Sequence, residues 1–278
     1  MENVIGHEKV KTILRNIIRE NKIGHAYLFV GKEGIGKKQV ALEFAKQMMS
    51  LEGGTWNESD FKMITSEKDI IKVEEIRDLI NEVYLKPVLA SRKVIIIDDA
   101  EKMNANAQNA LLKVLEEPPT YATLILITSH KEKIIKTILS RVTEITFDSL
   151  SNEELKRIIG KDIDYDFARG SVKKALSMME GELFQVASEL VTVMNEKDFL
   201  RFNQKMTQVK QMDIEMTQVL EMMQYMYYKD IKEDTYEKIK KIELLDQTIK
   251  NLNRNANTDL ALDKMMIEIC SGESLSAT

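Results

Sequence analysis

An α/β module built on a parallel sheet, followed by a segment of helices alone, is the fold class that this 278-residue sequence predicts. Three observations lead there. Short uninterrupted apolar runs recur at 26–30, 94–97 and 124–127, as strands buried on both faces require. Apolar stripes at helical spacing lie between these runs. After about Ser149 the runs stop and only helical spacing continues.

Taken in order, Val10, Ile13, Leu14, Ile17 and Ile18 follow the i, i+3, i+4, i+7, i+8 stripe of a first helix. Ala26-Tyr27-Leu28-Phe29-Val30, closed by glycine, reads as a buried strand. Beyond the loop 31–37, Val40, Ala41, Phe44, Ala45 and Met48 mark a second helix. Val73, Ile76, Ile80 and Val83 mark a third, ending near Pro87. Val94-Ile95-Ile96-Ile97 is β-branched, uncharged and followed at once by two aspartates, so it is the most strand-like stretch. Ala110, Leu111, Val114 and Leu115 give a helix that Pro118-Pro119 stops. Leu124-Ile125-Leu126-Ile127 repeats the buried-strand pattern. A short helix at Ile134, Ile135, Ile138 and Leu139 precedes an alternating final strand at 143–147. Ser151-x-x-Glu154 is a capping box that opens the helical segment. There Met206, Met212, Met216, Met222, Met223, Met226, Met265 and Met266 recur among Leu and Ile, and we read them as packing.

Composition narrows the function classes. The net charge of −5 argues against a free-standing polyanion binder, which needs clustered Lys and Arg. One cysteine, Cys270, excludes a disulfide framework and an all-Cys zinc site. The histidines, His7, His25 and His130, stand far apart in sequence. No apolar run reaches the ~20 residues of a bilayer span, and Met1-Glu2-Asn3-Val4-Ile5-Gly6 lacks the basic region and apolar core of a signal peptide. A cytoplasmic protein with no membrane partner is expected.

Two motifs carry chemistry. Gly31-Lys32-Glu33-Gly34-Ile35-Gly36-Lys37-Lys38 matches the P-loop pattern G-x-x-x-x-G-K-[ST] in all but its last position, between a strand and a helix. Gly31, Gly34 and Gly36 would let backbone N–H groups curl around phosphates, with Lys37 reaching the β/γ oxygens. The last position normally supplies a hydroxyl to Mg²⁺. Lys38 cannot be a metal ligand and would compete with the ion. Asp98-Asp99, after the strand 94–97, resembles an acidic Walker-B pair. Asp99 is one methylene shorter than the glutamate that polarises water in active ATPases.

Four strings are more specific: His25-Ala26-Tyr27-Leu28-Phe29, Ile97-Asp98-Asp99-Ala100-Glu101-Lys102-Met103, Asn109-Ala110-Leu111-Leu112-Lys113-Val114-Leu115-Glu116-Glu117-Pro118-Pro119 and Ile138-Leu139-Ser140-Arg141-Val142. They resemble the delta-prime subunits of the bacterial DNA polymerase III clamp loader, members of the AAA+ superfamily. The resemblance runs over roughly residues 4–180, and 251–262 looks like the family's collar. It implies an α/β P-loop AAA+ module at 1–149, a small helical lid at 150–183 and an all-α collar at 184–278.

It further implies that Arg141 acts in trans, reaching the ATP site of a neighbouring motor subunit; Val142 stands where the family's Ser-Arg-Cys element has cysteine. Thr128 falls at the sensor position, Lys173 at the lid's basic position facing the γ-phosphate, and Val4-Ile5-Gly6-His7 at the adenine pocket. The family's four-cysteine zinc module is missing from 50–61, so no zinc is expected. No cofactor is required, and ATP or ADP held without turnover is allowed. Gamma/tau and delta subunits are the implied partners, with the sliding clamp and primer-template DNA reached through the assembly. The expected role is that of a stator in DNA replication, with no independent catalysis. The rival is a gamma/tau-like motor hydrolysing its own ATP, kept open by Lys37 and Asp98 and opposed by Lys38 and Asp99. A P-loop small-molecule kinase fits poorly with the helical second half.

Overall fold

The computed structural model describes residues 1, 4–65, 70–161, 163–179, 181–212, 214–231, 235–254 and 256–271. Of the segments read above, residues 2, 3 and 66–69 of 1–149, 162 and 180 of 150–183, and 213, 232–234, 255 and 272–278 of 184–278 lie outside these. The chain divides into two compact units, Met1–Lys173 and Lys174–Thr278. The division falls inside the segment read as a lid.

The first unit alternates helices and strands: α1 Glu8–Arg19, β1 Ala26–Val30, α2 Lys37–Met49, β2 Phe61–Ile64, α3 Val73–Val83, β3 Lys93–Ile97, α4 Ala105–Glu116, β4 Ala122–Thr128, α5 Lys136–Leu139 and β5 Thr143–Thr146. Among the described residues the strands form one five-stranded sheet in the order β2-β3-β4-β1-β5, and every pairing is parallel. Side chains alternate across it, as a two-residue period dictates. Tyr27, Phe29, Val94, Ile96, Ile125 and Ile127 pack under α1 and α2. Leu28, Ile95, Ile97, Leu124 and Leu126 pack under α3, α4 and α5 on the other face. Each fully buried side chain of this size contributes about 1.5–3 kcal/mol, so the central strands anchor the unit.

Three outcomes differ from, or add to, the periodicity. Ile13 is 46% exposed, while Lys11 is buried, its ammonium 2.6 Å from Glu8 and donating to the Val4 carbonyl. The strand β2 went unread: it is a half-buried edge strand of four residues carrying Lys62, with β3 as its strand partner. Lys93 opens β3 with a buried ammonium that donates to the Glu82 carbonyl at 2.9 Å, near the end of α3. A cation there complements the helix dipole.

The cysteine-free stretch 50–61 is held by other means. Trp56 packs on Phe61 at a ring separation of 4.6 Å. The buried Asp60 accepts N–H groups from Val88, Leu89 and Ala90 at 2.8–2.9 Å. Burial alone would raise its pKa, but these donors and Asn57 bring it below the ordinary carboxylate value.

After β5 come α6 Asn152–Ile159, α7 Tyr165–Ala168 and α8 Val172–Met179. The capping box at the start of α6 is present in both directions: Ser151 Oγ accepts the Glu154 N–H, and Glu154 Oε2 accepts the Ser151 N–H. The second unit continues with α9 Glu182–Glu196, α10 Phe199–Val209, α11 Met216–Lys229, α12 Thr235–Leu252 and α13 Thr258–Ser271. Met206, Met222, Met223, Met265 and Met266 are buried in its core, as packing residues should be. Among the described residues, no helix is long and apolar enough to cross a membrane.

Candidate functional site

Because the strands run parallel, their carboxyl ends share one edge of the sheet, where ligands of open α/β folds bind. That edge gathers the loop 31–37 after β1, Thr65 after β2, Asp98-Asp99 after β3 and Thr128-Ser129 at the end of β4. The loop turns on Gly34 and Gly36, at φ +73° and +98°, values that disfavour any side chain. A Cβ on Gly34 would lie 2.4 Å from Ser171 Oγ and 2.7 Å from Lys173 Cβ. The Gly34 carbonyl accepts the Val172 N–H at 2.8 Å, so 171–173 packs directly on the loop. A Cβ on Gly31 would meet Phe147 and Ile35 at 2.9 Å.

His7 braces the loop from below. Its backbone is left-handed, and its Nε2 donates to the Ile35 carbonyl at 2.7 Å. His7, the last residue of the segment 4–7, thus lies beside the loop.

Lys37 is only 6% exposed. Its ammonium donates to the carbonyls of Gly31 (2.6 Å) and Lys32 (2.7 Å) and to Ser129 Oγ (3.0 Å). Burial pushes its pKa down, opposed by the carboxylates of Glu101, Asp98, Glu33 and Asp99. The hydroxyl brought to Lys37 is therefore that of Ser129, which the sequence reading missed. The neighbouring Thr128 is buried, and its Oγ1 accepts the His130 N–H. Two adjacent hydroxyls at a strand end gave no sequence signal for which one turns inward. Ser129 N–H is itself held by Glu101 Oε1 at 3.0 Å, while Oε2 of Glu101 is buried without a hydrogen-bond partner.

Lys38 sets its Nζ 3.3 Å from Oδ2 of Asp98 and donates to Thr65 Oγ1 at 3.3 Å. Burial raises the Asp98 pKa, the Asp99 charge raises it further, and Lys38 pulls the other way. Asp99 has left-handed backbone at φ +51° and pairs with Lys102 at 2.9 Å in its own turn. Lys173 reaches back to Glu33 of the loop at 2.8 Å. This edge can cradle an anion on Lys37 and backbone N–H groups. The position after Lys37 brings an ammonium in place of a hydroxyl, and Asp98 and Asp99 are each paired with a lysine.

Arg141 stands elsewhere. It follows α5 and precedes β5, at the amino ends of the strands. The ring of His25, just before β1, donates from Nε2 to the Arg141 carbonyl at 3.1 Å. Gln108 of α4 fixes the approach to α5 by donating to the carbonyls of Met103 and Lys133 and accepting the Ile135 N–H. The guanidinium, 34% exposed, donates to the Thr137 carbonyl, Ser140 Oγ and Glu116 Oε1 at 2.8–3.0 Å. It borders an open recess of about 500 Å³ lined by Leu115, Glu116 and Ser140 among others. The length of β1, five residues at ~3.3 Å each, separates the Arg141 backbone from the chain's own loop 31–37.

Residues 6–151 match the family model of the DNA polymerase III delta subunit. The chain belongs to the DNA polymerase III clamp-loader family. Among its clamp-loader relatives, the delta' subunit of Bacillus subtilis is 34% identical over 176 residues, covering 58% of this chain and 54% of that protein. The tau/gamma subunit of Haemophilus influenzae is 32% identical over 206 residues, covering 64% of this chain and 30% of that one. Across these and the gamma subunit of Buchnera aphidicola, the matches span 30% to 62% of the relatives' own length. The structure of a DNA polymerase III gamma-subunit-related protein from Thermotoga maritima superimposes with a TM-score of 0.64 at 21% identity. The match covers 93% of this chain and 98% of that one, so the two share a fold.

Proposed function

We propose that this clamp-loader family member is a delta-prime-type stator. It does not hydrolyse ATP itself, and it presents Arg141 to the nucleotide of a neighbouring gamma/tau-type ATPase subunit. The observation that carries this reading is the position of Arg141 at the amino ends of the strands, across the sheet from its own loop. An arginine so placed has no nucleotide of its own to act on. Offered to a neighbour, a guanidinium neutralises charge growing on the transferred γ-phosphoryl, an effect worth about 10³–10⁵ in rate in other P-loop NTPases.

The loop supports the same reading. Lys38 lies on Asp98, and Asp99 lies on Lys102, so neither acid is free to organise a metal ion or a water. Helices 150–183 would form the lid and 184–278 the collar that joins the ring with gamma/tau and delta subunits. The sliding clamp and primer-template DNA would be reached through that assembly in the cytoplasm.

The motor reading draws on the tau/gamma relatives and on the retained Lys37 and Asp98. Steady-state ATP turnover separates the two. The isolated chain is expected to show none with Mg²⁺, and to raise turnover when added to gamma/tau and delta subunits. Turnover by the isolated chain would establish the motor instead.

A further inference from the structure

In a loop of this kind the residue after Lys37 decides whether the protein ligates a divalent cation, because its hydroxyl is one of the ligands. Here that residue brings an ammonium instead. The Lys38 Nζ is 3.3 Å from Asp98 Oδ2 and also donates to Thr65 Oγ1. The acid that would share the ion is already charge-compensated. A divalent cation would have to break this pair and then share the space with a displaced ammonium. The residues present therefore do not fit Mg²⁺.

The remainder of the cradle keeps the features a polyphosphate needs. Gly34 and Gly36 hold positive φ, and a Cβ on Gly36 would come no closer than 3.8 Å to another atom, leaving the start of α2 uncrowded. Lys37 spends two hydrogen bonds on the loop's own carbonyls, at Gly31 and Lys32, partners that a stronger anionic acceptor can replace.

We propose that Lys38 takes the divalent cation's place at Asp98, so that the loop holds the polyphosphate of a nucleoside di- or triphosphate as its metal-free anion. This deepens the stator reading and rests on it. Lys38, neutralised by Asp98, carries a single charge and no Lewis acidity and so does not activate the β,γ bond, while Lys37 supplies the counter-charge for binding. Affinity without turnover follows.

The test is equilibrium binding of a fluorescent ATP or ADP analogue to the full chain, with Mg²⁺ and with EDTA. Equal affinity within about twofold is expected in both. Lys38→Thr should make binding Mg²⁺-dependent by about tenfold or more, as one metal ligand is restored. Lys38→Arg, which keeps the cation, should stay metal-independent and guards against a misfolded Thr variant. Binding that requires Mg²⁺ in the unmodified chain, or no binding in either buffer, overturns the inference. The second outcome would leave the stator reading standing, whereas ATP turnover by the isolated chain would remove that reading too.

Discussion

The guanidinium of Arg141 meets the carboxylate of Glu116 at 2.9 Å, joining the segment after α5 to the last residue of α4. With the Thr137 carbonyl and Ser140 hydroxyl, Glu116 holds the side chain in one direction at the protein surface. Both partners are substantially exposed, so the pair adds little to stability, about 0–1 kcal/mol. Its use is orientation. Glu116→Gln is expected to leave the melting temperature nearly unchanged. It should lower kcat of the reconstituted assembly about tenfold with little change in KM, because a misdirected guanidinium misses the developing charge. Steady-state kinetics beside a thermal melt checks both halves.

Asp60 is the internal staple of the shortened 50–61 region. Removing its carboxylate strands three N–H groups at 88–90, and Asp60→Ala should cost about 2–4 kcal/mol in a denaturant melt. Its folded pKa is depressed, so its stabilisation is fully present above the ordinary aspartate pKa. That part is lost as pH falls through the lower folded value. The acid limb of the wild-type stability profile should flatten in the variant.

Asp98 runs the opposite way. Its folded pKa is raised, chiefly by burial, so folded protein holds the proton more tightly than unfolded chain. Its contribution is most favourable below the ordinary aspartate pKa and declines as pH rises through the folded value. Lys38 limits that decline. Lys38→Met should therefore cost about 1 kcal/mol at neutral pH and nothing at pH 3, since it leaves a half-buried carboxylate uncompensated. Thermal melts across pH will show the loss growing with pH, and a pH-independent loss would mean that the pair is not what Lys38 contributes.

Gly34 tests how tightly 171–173 closes on the loop. Gly34→Ala adds a methyl at φ +73°, against Ser171 and Lys173. A loss of about 1–3 kcal/mol is expected by chemical denaturation.

Much of this was legible in the sequence, for a physical reason. The strands β1, β3 and β4 are covered on both faces, so they appear as unbroken apolar runs, whereas β2 is a half-exposed edge strand whose Lys62 breaks the pattern. The loop 31–37 and Asp98-Asp99 could be placed at strand ends from residue type and spacing, and the structure sets both there. What joins the site residues was not legible. That Lys38 lies on Asp98, that Ser129 rather than Thr128 faces Lys37, and that Glu116 holds Arg141 are contacts across 60, 92 and 25 positions of chain. Only the parallel sheet creates them. Ile13 shows the limit of periodicity from the other side, since the helical stripe is wider than the face α1 buries.

If Arg141 acts on a neighbour's nucleotide, its loss must show in the assembly's turnover. The most direct measurement is ATP turnover of a clamp loader reconstituted from gamma/tau and delta subunits with this chain, carrying either arginine or Arg141→Ala, in the presence of clamp and primed DNA. Assembly is verified separately by size-exclusion chromatography. A fall in kcat of about 10²-fold or more at the affected site, with the complex intact, is expected. An intact complex with unchanged turnover would contradict the role in trans and return Arg141 to the status of a surface arginine.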